Sequence, residues 1–268
     1  MTELDWSAAA DPTRRIGRSV EFHLEIGSTN DRARAVLAEA GDGVAVVADL
    51  QTTGRGRRGR TWESPPGANL MLSVGLRPRL AAATAGLLGI ATALAVRDAS
   101  ADAVPRADLR VKWPNDVVAG DGRKVAGLLL ETAVHGEALA EAIIGIGINV
   151  NWPNAQMPAE LQGRAIALCD LAGVRLDRVR LLRRVLDRLD AELTALEDGI
   201  SPLARLADVS ALDGRMVTVI VDGARLSGVA AGIAPDGQLL LDTDDGRRTL
   251  AVGEVMSVRE QPDVAVAS

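Results

Sequence analysis

The sequence predicts an α+β protein, a mixed β-sheet with helices followed by a small all-β barrel. Three observations predict it. Apolar runs of strand length recur at 20–26, 44–50, 69–76, 109–113, 124–134 and 142–150. Helical patterns fall at 81–98 and 175–198. Beyond residue 210 the texture changes to short strands separated by DG, PDG and DDG turns. We expect a larger domain over 1–208 and a barrel over 209–268, with the last nine residues, polar and small, disordered.

Taken in order, Val20, Phe22, Leu24 and Ile26 alternate with polar neighbours, as in a half-buried strand, until GSTN interrupts them. A helix follows, with Ser28, Thr29 or Asn30 as cap, Ala33, Val36, Leu37 and Ala40 as its apolar face, and Gly41 as its end. The 17-residue uncharged run Leu80 to Val96 is rich in Ala and Gly and short for a membrane span, so it is expected to be a buried helix. In 175–198 Leu176, Val179, Leu182, Leu186, Leu189, Leu193 and Leu196 recur at helical steps, with charges on the outer face. The barrel strands are RMVTVIV, ARLSGVAAGI, QLLLDT, RRTLAV and EVMSVR, within 211–259.

The chain has 268 residues, a formal net charge of −6 and a pI near 5.1. That balance argues against a surface built for DNA or anionic lipid, so any basic function is local. The single cysteine, Cys169, excludes an intrachain disulfide and any multi-cysteine metal site, in keeping with a reducing cytoplasm. The N-terminus has no apolar core of a secretory signal. His23 and His135 lie in no motif.

Four stretches bear chemistry. In QTTGRGRRGRTW, Gln51 to Trp62, glycines alternate with Arg55, Arg57, Arg58 and Arg60 just after a predicted strand. Glycine lets backbone N–H groups approach an anion, and arginine offers a fork matched to phosphate oxygens. The spacing is neither a Walker loop nor a dinucleotide fingerprint, and a solvated basic loop, an RNA-binding segment and a nucleotide-phosphate loop all remain open. VKWPNDVVAGDGRKVAG holds the only two lysines, Lys112 and Lys124, against 28 arginines. A compact ammonium can lie between two oxygens where a fork cannot, and it shifts its pKa. Between them WPND, taken alone, reads first as a turn, with an aromatic plate beside Asn115 and Asp116 as the functional alternative. GIGINVN ends a strand and presents Asn149 and Asn151, and STN is either a cap or a place where ligand atoms find donors.

Together, GSTN, QTTGRGRRGRTW, GANLMLS, KWPND, GRKVAGLLLE and GIGINVN stand in the order and spacing of the biotin protein ligases, which the chain resembles over residues 22 to 152. Its C-terminal β-segment resembles that family's SH3-like domain. The resemblance implies a class II synthetase-like catalytic domain and a two-step reaction. Biotin's carboxylate attacks the α-phosphate of ATP with Mg²⁺, giving biotinyl-5′-adenylate. A lysine of a biotin carboxyl carrier protein then takes the biotinyl group.

By the same resemblance, Ser28, Thr29, Asn30 and Gln51 bind biotin's ureido end, and Arg55, Gly56 and Arg57, which with Lys124 also contact biotin, fold over the adenylate. Arg55, Arg57, Arg58, Arg60, Trp62, Asn115 and Asn149 form the ATP and adenylate site. Lys124 bridges carboxylate and α-phosphate, Asp116 orients the incoming amine, and Arg55 completes the catalytic set. Trp113 is expected to be an apolar wall and Lys112 a support for Asp116. No protein metal ligand is assigned beyond a contact from Asn149 to phosphate-bound Mg²⁺.

Two departures stand out. Met71 replaces an aromatic frequent in the family, and only 27 residues precede Ser28, too few for the DNA-binding domain of bifunctional members. A ligase without repressor activity is therefore expected, with no DNA or membrane partner and a second copy of the chain as a candidate partner. The rivals are a lipoate or octanoate ligase, whose RRxSGGG-like loop is absent, and a nucleic-acid-binding protein using the Gly/Arg loop.

Overall fold

The structure is a computed structural model describing residues 4–251 and 253–259; the expected disorder of the last nine residues falls outside that range. Strands β1 (Ser19–Ile26), β2 (Val44–Gln51), β3 (Leu70–Leu76), β4 (Leu109–Lys112), β5 (Asp116–Ala119), β6 (Lys124–His135) and β7 (Ala138–Ile148) form one sheet in the order β1-β2-β3-β7-β6-β5-β4. β1 and β2 run parallel and every other pair antiparallel, so the sheet is mixed. Its helices are α1 (Thr29–Ala40), α2 (Ala85–Ala101), the short α3 (Ala159–Gln162) and α4 (Leu168–Ala172), α5 (Arg178–Glu197) and α6 (Leu203–Val209).

Period-two alternation explains the layering. In β2, Ala45 and Val47 face the large core beneath α2 and α5, whereas Val46 faces Ala33, Val36 and Leu37 of α1 on the other side. The leucine stripe of α5 is buried through Leu182, Leu186, Leu189, Leu193 and Leu196. Each contributes about 1.5–3 kcal/mol from apolar burial. Residues Ala82–Ala101 are long and apolar enough to cross a membrane, yet Leu88, Ala91, Leu94 and Ala95 are packed in the core.

Strands β8 (Met216–Val221), β9 (Ala224–Ile233), β10 (Leu239–Thr243), β11 (Gly246–Leu250) and β12 (Glu254–Arg259) make a second, antiparallel sheet in the order β11-β10-β9-β8-β12. It wraps a core of Leu212, Val217, Val219, Ala230, Leu239, Leu241 and Val255.

Three local expectations are corrected. Leu24 is 72% exposed, because β1 is an edge strand whose apolar contacts, Val20 and Phe22, lie at its other end. The Ser28 hydroxyl caps nothing; the Gln51 Oε1 carbonyl accepts the Thr29 N–H instead, at 2.8 Å. Trp113 belongs to the core of the second sheet, where its Nε1 donates to Gly237 O at 3.1 Å, and it does not line the pocket described next.

Candidate active site

At the C-terminal end of β2 the chain leaves the sheet into the Gly/Arg loop, beside the N-terminus of α1. Ser28, Thr29 and Asn30 there are all buried. Gln51 Oε1 accepts from both the backbone N–H and the hydroxyl of Thr29. Ser73, on β3, lies 2.7 Å from Thr29 Oγ1 and 2.6 Å from Asn30 Oδ1. A hydroxyl carries one proton, and Asn30 Oδ1 accepts only, so the Ser73 O–H is directed there. The Asn30 amide nitrogen donates to Glu131 Oε2 at 2.9 Å. Such a buried cluster of donors and acceptors suits a small polar group that has both.

The floor is made of glycines. Gly127 and Gly147 are cross-strand partners on β6 and β7, and Gly145 sits one pleat further along. A methyl group at Gly147 would lie 2.5 Å from the Trp62 ring, and one at Gly145 would run into Asn30 Oδ1. The missing side chains are what let the indole and the asparagine rest on the sheet. Trp62 Nε1–H is buried there without an acceptor among the described residues, an orphan donor of the kind that ligands satisfy.

The Gly/Arg loop folds back on itself as a small hairpin. Gly56 N–H donates to Arg60 O at 2.7 Å and Trp62 N–H to Gly54 O at 3.0 Å, with the turn at Arg58 (φ 58°) and Gly59 (φ 72°). Left-handed backbone is unusual for an arginine. Arg58 holds it while Nη2 donates to Ile220 O at 3.2 Å and Nη1 reaches Glu254 Oε2 at 3.3 Å. Arg60 also pairs with Glu254, so two loop arginines are tied to β12 of the second sheet. The Arg60 guanidinium, followed by Arg58, holds the Glu254 carboxyl below its usual range. Arg57 points inward and donates to Asn115 Oδ1 at 3.2 Å; burial lowers its pKa. Arg55 is engaged outward, by Asp31.

Opposite lies the lysine. Lys124 begins β6, its backbone fixed by Lys124 N–H to Arg164 O (2.8 Å) and Ile166 N–H to Lys124 O (3.0 Å). Its Nζ is 2.7 Å from Asp116 Oδ1 and 5.7 Å from the centroid of the Trp62 ring. The contact is an ion pair whose angle falls outside hydrogen-bond geometry, on an Oδ1 that is itself buried. Asn115 Nδ2 donates to Leu128 O at 2.7 Å, fixing the amide that receives Arg57.

The structure therefore gathers Ser28, Thr29, Asn30, Gln51, Arg55, Gly56, Arg57, Trp62, Asn115 and Lys124 around one cavity of about 50 Å³. Asp116 touches it through Lys124. Arg58 and Arg60 are not on it; Arg60 is on Glu254 and Arg58 is divided between Glu254 and Ile220 O. Asn149 is buried behind it, its Nδ2 donating to Lys124 O at 3.2 Å. Met71 is buried opposite Gly147 without lining the cavity. Lys112 lies across from Asp116 on β4, but Nζ donates to Val255 O at 3.1 Å and burial lowers its pKa. Among the described residues no cluster of three His, Cys, Asp or Glu side chains could hold a metal. Sequence reasoning missed Ser73, Asp31, Glu131 and Glu254. Only Ser73 left a signal there, as a hydroxyl interrupting the apolar run NLMLSVGL.

Sheet, glycine floor and arginine loop define a ligase of the biotin and lipoate class. Residues 25–149 match the model of the Biotin/lipoate A/B protein ligase family and residues 214–256 that of the Biotin protein ligase C terminal domain. The chain is 36% identical to the biotin–[acetyl-CoA-carboxylase] ligase of Mycobacterium tuberculosis over 90% of each chain. It is 37% identical to the bifunctional ligase/repressor BirA of Escherichia coli, over 89% of this chain and 74% of that one. Its fold is similar to the biotin protein ligase of Aquifex aeolicus in complex with biotin and ATP, at TM-score 0.76 and 30% identity, covering 90% of this chain and 99% of that one. The chain belongs to the biotin protein ligase family.

Proposed function

We propose that this ligase activates biotin with ATP as biotinyl-5′-adenylate and passes it to one lysine of a biotin carboxyl carrier protein in the cytoplasm. Residues 1–208 carry the chemistry and residues 209–268 the barrel that backs the arginine loop. The observation that carries the reading is the pairing of Lys124 with Asp116 at the mouth of a buried, glycine-floored polar pocket. The first step joins two anions, a carboxylate and a phosphate, and requires cations at the shared oxygens. Lys124 and the inward Arg57 supply them, and Mg²⁺ enters with the nucleotide phosphates rather than on a protein cage. The donors and acceptors of Ser28, Thr29, Asn30, Gln51 and Ser73 hold the ureido end.

The second step needs a neutral amine, although a free lysine has a pKa of about 10.4. The Asp116 carboxylate, paired through Oδ1 with Lys124 at 2.7 Å, accepts an N–H from the incoming amine, orients it and takes its proton as the C–N bond forms and AMP leaves.

A thermal-shift series with biotin, lipoate, octanoate and ATP tests the reading. At 100 times its dissociation constant a ligand stabilises the fold by about 2.7 kcal/mol. Biotin is expected to raise Tm and lipoate not to; the reverse pattern favours the lipoate reading.

A further inference from the structure

Four arginines in one short loop invite the view that all four meet the reacting phosphates, but the structure commits most of them elsewhere. Arg55 makes a two-pronged pair with Asp31, Nη1 to Oδ2 at 2.8 Å and Nη2 to Oδ1 at 2.6 Å, and its Nη2 is 3.7 Å from Glu131 Oε1. We propose that Asp31, backed by Glu131, is a positioning residue that pins the base of the Gly/Arg loop through Arg55. Arg55 is then a strut, and the loop cation that meets the reacting anions is Arg57. The proposal rests on the ligase reading above.

The pin is built from parts that are fixed independently of Arg55. Asp31 occupies the first turn of α1, where the helix dipole favours a carboxylate. Glu131 is held by the Asn30 amide at 2.9 Å and by Arg34 at 3.4 Å. Fork-on-carboxylate pairing of this kind fixes direction as well as distance. The Asp31 carboxyl is drawn below its usual range by the Arg55 hydrogen bonds.

Charge balance favours the same assignment. Asp31 and Glu131 together match Arg34 and Arg55. Moving Arg55 onto a phosphate would leave two carboxylates facing a polyanion with one cation between them. Arg57 carries no such debt, since among the described residues its guanidinium donates only to the neutral amide of Asn115. Asp31 also directly follows Thr29 and Asn30, so the pin sets the loop's height over the same residues that we assign to the ureido group.

The test uses the full chain with Asp31→Asn, Arg55→Lys, Arg55→Asp and the charge swap Asp31→Arg/Arg55→Asp, each checked for folding by thermal melt. Two readouts are taken: the rate of tryptic cleavage within 55–60, and biotin and ATP KM against kcat in biotin-dependent pyrophosphate release. Asp31→Asn is expected to raise cleavage and biotin KM about tenfold with kcat within about twofold, the mark of lost positioning. Arg55→Lys, which keeps the charge but loses the fork, should fall between it and wild type. Arg55→Asp should lose about 100-fold in kcat/KM and the swap recover most of it, a coupling that only a direct pair produces.

A swap that regains loop protection but stays as inactive as Arg55→Asp overturns the strut, because the cation itself is then required at the anion. Unchanged cleavage and KM in Asp31→Asn overturns the pin. If the wild type adenylates no biotin, the ligase reading fails, while the tryptic arm still decides whether Asp31 holds the loop.

Discussion

Replacing Lys124 by arginine keeps the charge and changes only its shape, which makes it the sharpest probe of the pocket. The ammonium sits in a slot bounded by Asp116 Oδ1 at 2.7 Å, the Trp62 ring at 5.7 Å to its centroid, and Gly127, whose missing Cβ would be 2.6 Å away. A planar guanidinium, wider than an ammonium and ending in a fork, does not fit that slot, so its charge centre is expected to shift outward by about 3 Å. At an effective dielectric of about 20, a unit pair weakens from about 5.5 kcal/mol at ~3 Å to about 2.8 at ~6 Å. The loss of about 2.8 kcal/mol at the developing phosphate charge corresponds to about 100-fold in the adenylation rate. The side chain is one-third exposed, so the fold should be little affected. Biotin-dependent pyrophosphate release at saturating ATP measures the rate, with a thermal melt as control. Activity within threefold of wild type in a folded Lys124→Arg protein would refute the bridging role.

Three further outcomes are expected. Asp116→Ala should slow transfer to the carrier lysine more than adenylation, checked by single-turnover transfer from preformed biotinyl-adenylate; equal losses in both steps would remove Asp116 from the second step. Gly145→Ala places a methyl against Asn30 Oδ1 and should cost about 1–3 kcal/mol together with tight biotin binding. Gly89→Ala, in α2 with nothing in reach of a Cβ, should be neutral or stabilising by about 0.5–1 kcal/mol, so calorimetry of the two separates floor geometry from glycine loss in general. Finally, Glu254 has a folded pKa below its unfolded value, chiefly through Arg60. Its contribution is thus present above the ordinary carboxylate range near about pH 4.3 and lost as pH falls through the lower folded value. Hydrogen exchange of residues 55–60, corrected for intrinsic rate and referenced to β3, should speed up as pH is taken from above the ordinary carboxylate range down through Glu254's lowered folded value; protection unchanged down to the acid unfolding limit would mean that the Glu254 latch does not hold the loop tip.

Much of the fold was legible because its elements carry strong periods. The leucines of 175–198 became α5 at Arg178–Glu197, and all five barrel strands fell where the DG turns placed them. The failures have physical causes. β5 is only four residues long and begins inside PND, so its turn residues masked it. Leu24 fits an alternating pattern, but on an edge strand nothing packs over its side chain, although the backbone stays paired to Ile26. In the site, local motifs brought the right loop, lysine and glycines together, but they say nothing about long-range carboxylates. Glu131 and Glu254 meet the arginine loop from far along the chain, and no spacing rule links them to it. Trp113 shows the converse, since an aromatic inside a functional motif served the second sheet's core instead.

The most direct measurement follows the phosphorus and the biotin together. Purified protein is incubated with ATP labelled at the α-phosphate, Mg²⁺ and biotin, then mixed with a biotin carboxyl carrier domain, and the products are separated by chromatography. The expected result is labelled biotinyl-adenylate that accumulates without carrier and converts to AMP as one carrier lysine gains biotin. Label moving onto lipoate or octanoate while biotin stays unmodified, or biotin reaching the carrier with no adenylate formed, would contradict it.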